Sequence, residues 1–357
     1  MTRRLDPTPL FRAWARPRMH HLRTGDAVKK QAAILRSLRG QAGTTRFGHA
    51  HGFWDVEKVA EYQKAVPVRT YEDFWEEWWR PEFPVLHDVT WPGKVPFFAV
   101  TSGTTSGTTK YIPLTHATLK QNHRAALDVI GAHVATYPDS HLFGGRSFVL
   151  GGSSALTREA RGVRSGDLSG IVAETAPLWM RPFTFPPPAL SLIDDWDEKL
   201  DALVGAIAGR TITSLSGVPS WVLLLFDRLE RAYPDWPLPE LELFVHGGIA
   251  WAPYAKRFAP YLARSRAVTR EVYPASEGFV AFADGEPDDG LLLSWDSGLF
   301  FEFVPVEEID DLEPTRHWLA TIEPDVEYAI LVSGPSGLFS YVLGDTVRFL
   351  ETRPPRL

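Results

Sequence analysis

The clearest capacity for chemistry lies in TSGTTSGTTK, Thr101 to Lys110, where two glycines, one lysine and seven hydroxyl side chains share ten residues. Glycine has no Cβ, so at Gly103 and Gly107 the backbone can approach a ligand closely and turn its N–H groups toward it. Thr101, Ser102, Thr104, Thr105, Ser106 and Thr108 add hydroxyl donors, and Lys110 adds a mobile positive charge. Together these are the donors that hold phosphate. The loop is not a Walker A motif: only three residues separate Gly103 from Gly107, and Lys110 does not follow the second glycine directly. A flexible Ser/Thr-rich linker is the competing reading, and the flanking apolar runs FFAV and YIPLT argue against it. Other candidates carry less. His49 and His51 in GHAHG resemble a metal pair but lack a third ligand at a suitable spacing. Glu76 and Glu77 are adjacent on an expected helix, where neighbours point about 100° apart, so they read as a solvated edge rather than an acid/base pair. The absence of cysteine excludes thiolate metal sites, a cysteine nucleophile and disulfides. No G-x-S-x-G, H-E-x-x-H or strand-borne G-x-G-x-x-G occurs, which leaves hydrolase, zincin and dinucleotide readings without support.

The phosphate loop needs elements to hold it. An apolar strand, Phe97 to Val100, leads into it, an apolar segment leads out, and His116 to Val134 reads as a long helix. Upstream, Thr24 to Leu38 is amphipathic and a second helix starts near Asp55. Thr70, with Asp73 three residues on, predicts an N-cap for a helix with a dense aromatic face. In the middle, RSFVLGGSS and GDLSGIVAE read as strand-like runs between glycine turns, and MRPFTFPPP as a proline-rich surface loop. Strand-like TITSLSGVP, LELFVHGG and AVTREVYPASEG then alternate with helical segments at 194–209, 220–232 and APYAKRFAPYLA. That alternation predicts an α/β fold with parallel strands. The last hundred residues read as an antiparallel sheet or partial barrel. The expected parts are a helical 1–95, an α/β core over 96–280 and a β-rich 281–357. With 44% hydrophobic and 23% charged residues in 357, the composition is that of a folded globular chain. Its net charge of −7 offers no broad phosphate-backbone footprint, so no nucleic-acid partner is expected. The longest aliphatic stretch, near Trp221 to Phe226, falls far short of the roughly 20 residues that span a bilayer, so no membrane partner is expected either. The basic N-terminus is broken by Asp6, Pro7 and Pro9 with no apolar run after it, and a cytoplasmic location is expected.

TSGTTSGTTKYIPLT resembles the signature phosphate loop of the acyl acid amido synthetases named after the auxin-responsive Gretchen Hagen genes, a branch of the acyl-adenylate-forming superfamily. The resemblance continues in the same order through TTRFGHAHGF, VPVRTYEDF, GVRSGDLSGI, SGVPSWVLLL, LELFVHGG, EVYPASEGF and GLFSYVLGD, which look like bacterial members, so it covers essentially the whole chain. YPASEG, Tyr273 to Gly278, resembles the second family motif. In that role Tyr273 offers an aromatic face for adenine, Ser276 a hydroxyl, and Glu277 a hard carboxylate for Mg²⁺. YVLGD, Tyr341 to Asp345, resembles the third motif, in which the Asp accepts both ribose hydroxyls; two carboxylate oxygens suit a vicinal diol, and Gly344 permits the turn. VHGG places His246, Gly247 and Gly248 where relatives put a strand end between acyl and nucleotide pockets. In that place His246 could meet the substrate carboxylate, but a lone His at a strand end is more often a packing or hydrogen-bonding residue.

The resemblance implies the large domain of a firefly-luciferase-like, acyl-adenylate-forming fold. The activity it implies uses ATP and Mg²⁺ to activate a small carboxylic acid as acyl-AMP, then joins the acyl group to an amino acid. Lys110 and Glu277 would carry the catalytic charge, with Glu277 as the metal ligand. Relatives continue past the third motif into a smaller mobile domain, whereas here twelve residues follow Asp345. The expectation is therefore a ligase impaired without that domain, or one served by a separate C-terminal domain or partner chain. The alternative is a nucleotide- or acyl-binding module that does not ligate.

Overall fold

The computed structural model of this chain describes residues 6–102, 109–152, 155–193, 195–233 and 235–357. At its centre is a nine-stranded sheet. From one edge the order is Thr184–Phe185, Arg146–Leu150, Ile212–Gly217, Leu243–Gly247, Val268–Ala275, Gly278–Phe282, Leu292–Leu293, Pro355–Arg356 and Glu351–Thr352. The first five strands are parallel and the remaining pairings antiparallel.

The parallel half arises from the alternation visible in the sequence. Helix Pro219–Ala232 follows Ile212–Gly217, and helix Ala252–Leu262 follows Leu243–Gly247. Pro219 sits in the first turn, where a missing N–H costs no intrahelical bond. Val222, Phe226 and Leu229 form a stripe at helical spacing that packs with Leu215, Phe244 and Phe258 in one core cluster. Helix Trp196–Ile207 joins this cluster, its first turn capped by the Asp195 carboxylate accepting from the Glu198 N–H.

A second core links the ends of the chain. It includes Met19 and Leu38 near the N-terminus, Phe98 and Ile112 beside the phosphate loop, and Phe301, Tyr341 and Phe349 near the C-terminus. Its late part is a three-stranded antiparallel sheet of Phe300–Pro305, Glu327–Ser333 and Tyr341–Arg348. All six residues of FFEFVP are buried, so Glu302 needs partners inside the protein. Arg316 pairs with it at 2.8 Å, and the Ser340 hydroxyl donates to it at 2.8 Å. Helix Ala27–Ala42 is pinned to this region by Gln31, whose amide donates to the carbonyls of Trp295 and Leu299 and accepts from the Phe301 N–H. A four-stranded sheet ordered Thr109–Leu114, Phe97–Ser102, Val163–Gly166, Thr157–Ala160 carries the phosphate-loop hairpin.

Two segments differ from the sequence reading. Leu168–Thr175, which covers most of GDLSGIVAE, is a helix rather than a strand-like run; short apolar runs do not separate the two by periodicity alone. Thr8–Thr24, where the sequence suggested no element, is a helix packed on helix His116–Thr136, with Pro9 in its tolerant first turn. Pro17 lies inside it, and the next residue, Arg18, forms a two-pronged pair with Asp128 and also reaches Asp296. No helix among the described residues is long and apolar enough to cross a membrane.

Candidate functional site

The strand pairing Thr101↔Lys110 and Ser102↔Thr109 closes a hairpin, so Thr101 and Lys110 face each other where the phosphate loop begins and ends. Gly103, Thr104, Thr105, Ser106, Gly107 and Thr108 lie outside the described residues. Ser102 is the last residue of its strand.

The second cluster comes from another hairpin. Val268–Ala275 and Gly278–Phe282 pair with Ala275 opposite Gly278, which leaves Ser276 and Glu277 as the two tip residues. Glu277 is half-buried, and burial pushes its carboxyl above the usual range. Its own backbone N–H, a hydrogen bond from Tyr341 and the positive charge of Lys110 pull the other way, and Asp345 adds to the rise. The Tyr341 hydroxyl donates to Glu277 Oε1 at 3.0 Å. Three residues further on, Gly344 adopts φ 93°, a conformation that suits glycine, and exposed Asp345 follows. Tyr273 donates its hydroxyl to Asp345 Oδ2 at 2.5 Å, and burial holds that phenol well above its ordinary value. The fold thus gathers Lys110, Tyr273, Glu277, Tyr341 and Asp345 from three separate hairpins or strands. The residue expected to face adenine is hydrogen-bonded through its hydroxyl to the residue expected to hold ribose.

His246 and Gly247 end the strand Leu243–Gly247, and Gly248 turns away at φ 82°. His246 is 2% exposed and stacks on Trp251, with ring centres 4.0 Å apart and planes 19° apart. Burial lowers its pKa to about 4, so the ring is neutral at pH 7 and can exchange a hydrogen bond but carries no charge. Nδ1 has no partner among the described residues. Gly247 faces Val272 on the next strand, and a Cβ there would stand 2.2 Å from the Val272 carbonyl oxygen. Only glycine lets the strand ends beside Tyr273 pair this closely.

For Mg²⁺ the fit is that of a single carboxylate. Glu277 Oε1 is steadied by Tyr341, and no other side chain among the described residues bonds this carboxylate. Mg²⁺ is commonly held by one or two carboxylates together with water and substrate phosphates. No cluster of three or more His, Cys, Asp or Glu suited to a metal occurs among the described residues. His51 stacks on Phe47, and its Nδ1 lies 2.9 Å from the Phe47 carbonyl oxygen; Glu76 and Glu77 form exposed ion pairs with Arg80 and Arg69. Sequence reasoning assigned no role to Tyr341, although it heads YVLGD, or to Tyr71, although it stands in VPVRTYEDF. Both signals were present, but neither motif by itself says where a tyrosine side chain points.

The mixed sheet, parallel in one half and antiparallel in the other, together with the late antiparallel sheet, matches the fold of acyl-adenylate-forming ligases. Among solved structures, GH3.15 acyl acid amido synthetase superposes with a TM-score of 0.76 at 16% identity, covering 99% of this chain and 71% of that one. AtGH3.15 acyl acid amido synthetase in complex with 2,4-DB gives 0.78 at 17%, with the same coverage. An open conformation of 2-hydroxyisobutyryl-CoA ligase with 2-HIB-AMP and CoA gives 0.62 at 15%, covering 94% of this chain and 75% of that one. No curated protein sequence matches the chain. Within this fold class the chain belongs to the GH3 family: residues 19–235 match the GH3 family N-terminal domain and residues 292–357 the GH3 family central domain.

Proposed function

We propose that this chain is the large adenylation domain of a cytoplasmic ligase that activates a small carboxylic acid with ATP and transfers it to an amino acid. The observation that carries this reading is the convergence of Lys110 at the phosphate-loop exit, Glu277 at a hairpin tip and Asp345 after the Gly344 turn. In the first step an oxygen of the acid's carboxylate bonds to the α-phosphorus of ATP, the bond to the bridging oxygen breaks, and pyrophosphate leaves. In the second the amine nitrogen bonds to the acyl carbon, AMP departs and the nitrogen loses a proton. Both first-step reactants are anionic, so the protein's task is to position them and offset charge.

Lys110 and the loop N–H groups meet the phosphates. Asp345 accepts from the ribose hydroxyls, with Tyr273 fixing one of its oxygens. Neutral His246 and the bare Gly247 and Gly248 backbone border the acyl group. Bound at Glu277, Mg²⁺ supplies positive charge to the phosphate oxygens. The solved amido synthetases and the CoA ligase share the fold, and family membership favours an amino acid as acceptor.

The test is acid-dependent pyrophosphate release, with hydroxylamine as a generic amine trap, across a panel of aromatic and aliphatic acids. It is paired with calorimetric titration of ATP and Mg²⁺. The expected result is saturable ATP binding that Asp345→Ala weakens at least tenfold. Glu277→Ala should weaken binding with Mg²⁺ present and leave it unchanged in chelator. A folded wild-type protein with no detectable ATP binding overturns the proposal.

A further inference from the structure

Lys110 places its ammonium 5.2 Å from the centre of the Tyr71 ring, over the ring face. Glu277 is near enough for the lysine charge to pull on its carboxyl, yet no carboxylate forms an ion pair with Lys110 among the described residues. No hydrogen-bond acceptor among them takes its N–H groups either. Here an aromatic face holds the cation instead.

Tyr71 is built to stay in place. The Thr70–Asp73 capping box starts its helix, with the Asp73 carboxylate accepting from the Thr70 N–H at 2.7 Å. The Tyr71 hydroxyl accepts from the backbone N–H of Tyr111, the residue after Lys110, at 2.9 Å. Trp75 stacks on the ring with centres 5.9 Å apart, and Trp79 meets it edge-on at 6.0 Å. The side chain is buried, and its phenol is pushed up to about 12, chiefly by burial, so it stays neutral. One residue therefore grips both the strand that carries Lys110 and the end of the Lys110 side chain.

We propose that Tyr71 is a positioning residue for the phosphate-binding cation: its π-face seats the Lys110 ammonium without neutralising it. An aromatic quadrupole attracts a cation without cancelling its charge, and the N–H groups directed away from the ring remain available for phosphate oxygens. A carboxylate seat would cancel the charge and consume the donors. The inference rests on the ATP-dependent reading above and adds to it a residue from the N-terminal helical region.

The test is ATP and Mg²⁺ titration of the whole chain carrying substitutions at positions 71 and 110. Tyr71→Phe keeps the ring and should bind within about twofold of wild type. Tyr71→Leu should weaken binding three- to tenfold, and in a Lys110→Met background it should add nothing. Because Tyr71→Leu opens a cavity and can compromise folding, a series of phenylalanines with increasing ring fluorination at position 71 provides a shape-preserving arm. Affinity should fall stepwise with fluorine number, a trend that packing alone does not produce. The proposal is overturned by a flat fluorine series, by multiplicative effects of Tyr71→Leu and Lys110→Met, or by Tyr71→Phe losing as much as Tyr71→Leu. A wild-type protein that binds no ATP instead sinks the ligase reading on which this one stands. Wild-type binding that Lys110→Met weakens, with position 71 silent, sinks only the seat.

Discussion

Replacing Gly247 by alanine tests whether the close strand pairing beside Tyr273 is a structural requirement. The new Cβ would sit 2.2 Å from the Val272 carbonyl oxygen, 3.0 Å from Val272 Cγ2 and 3.2 Å from Pro274 Cδ. An ordinary contact starts near 3.4 Å, so the strands must part by more than an ångström, and the obstacle is backbone that cannot rotate away. Overpacking of this kind costs about 1–3 kcal/mol. One or two strained ladder hydrogen bonds add about 1 kcal/mol each, so the total is about 2–5 kcal/mol. At about 2.1 cal/mol/K of unfolding entropy per residue, a chain of 357 residues loses about 1 °C of Tm per 0.75 kcal/mol. The expected drop is therefore about 3–7 °C by calorimetry. Gly248→Ala is the control. A Cβ there meets only Val218 Cγ2 at 3.7 Å, but φ 82° carries a left-handed penalty of about 1 kcal/mol, so its Tm should fall by only a degree or two. Gly247→Ala should also weaken ATP binding more than Gly248→Ala, because Tyr273 follows the displaced Val272. A Gly247→Ala protein that melts within a degree of wild type, or above Gly248→Ala, refutes the steric argument.

His246 gives a pH prediction with a fixed sign. Its folded pKa of about 4 lies below the ordinary 6.5, so the unfolded chain takes up a proton first as the pH falls, and stability is lost between about 6.5 and 4. At about 1.4 kcal/mol per unit the loss from this group is about 3 kcal/mol. His246→Phe, which keeps an aromatic ring against Trp251, should lack that loss, so the stability gap between variant and wild type should widen toward pH 4 in denaturant titrations. Arg316→Met strands the buried Glu302 carboxylate, which should cost about 3–5 kcal/mol, or about 4–7 °C in Tm. Adding Glu302→Gln to the same chain should recover most of the loss.

The sequence was most informative where local chemistry and tertiary structure agree. The Thr70–Asp73 box, the strand of VHGG and the strand leading into TSGTTSGTTK carry their own local signals, and they formed where those residues predicted. Helix Thr8–Thr24 was illegible because its prolines speak against a helix while its support is distant: Arg18 is held by Asp128 and Asp296, more than a hundred residues away. Leu168–Thr175 was misread because a short apolar run fits either period. At the site, residue types announced donors and acceptors but not their mutual contacts. The Tyr273–Asp345 and Tyr341–Glu277 hydrogen bonds join positions 72 and 64 residues apart, and the Tyr71–Lys110 contact joins a helix to a strand. Those distances are set by how the sheets meet, which no local pattern encodes.

The Gln31 amide that bonds Trp295, Leu299 and Phe301 has a consequence for how the chain reaches this state. Its partners lie 264 to 270 residues later, so on the ribosome these three hydrogen bonds cannot form until the segment around Phe301 has emerged. The strand–helix alternation between Arg146 and Leu262 closes its own apolar cluster from nearby segments and can consolidate first. Until the Phe301 segment emerges, the Gln31 face of helix Ala27–Ala42 lacks its late partners, an interval in which chaperones or aggregation compete for it. A helix synthesised early is thus locked by residues that arrive late.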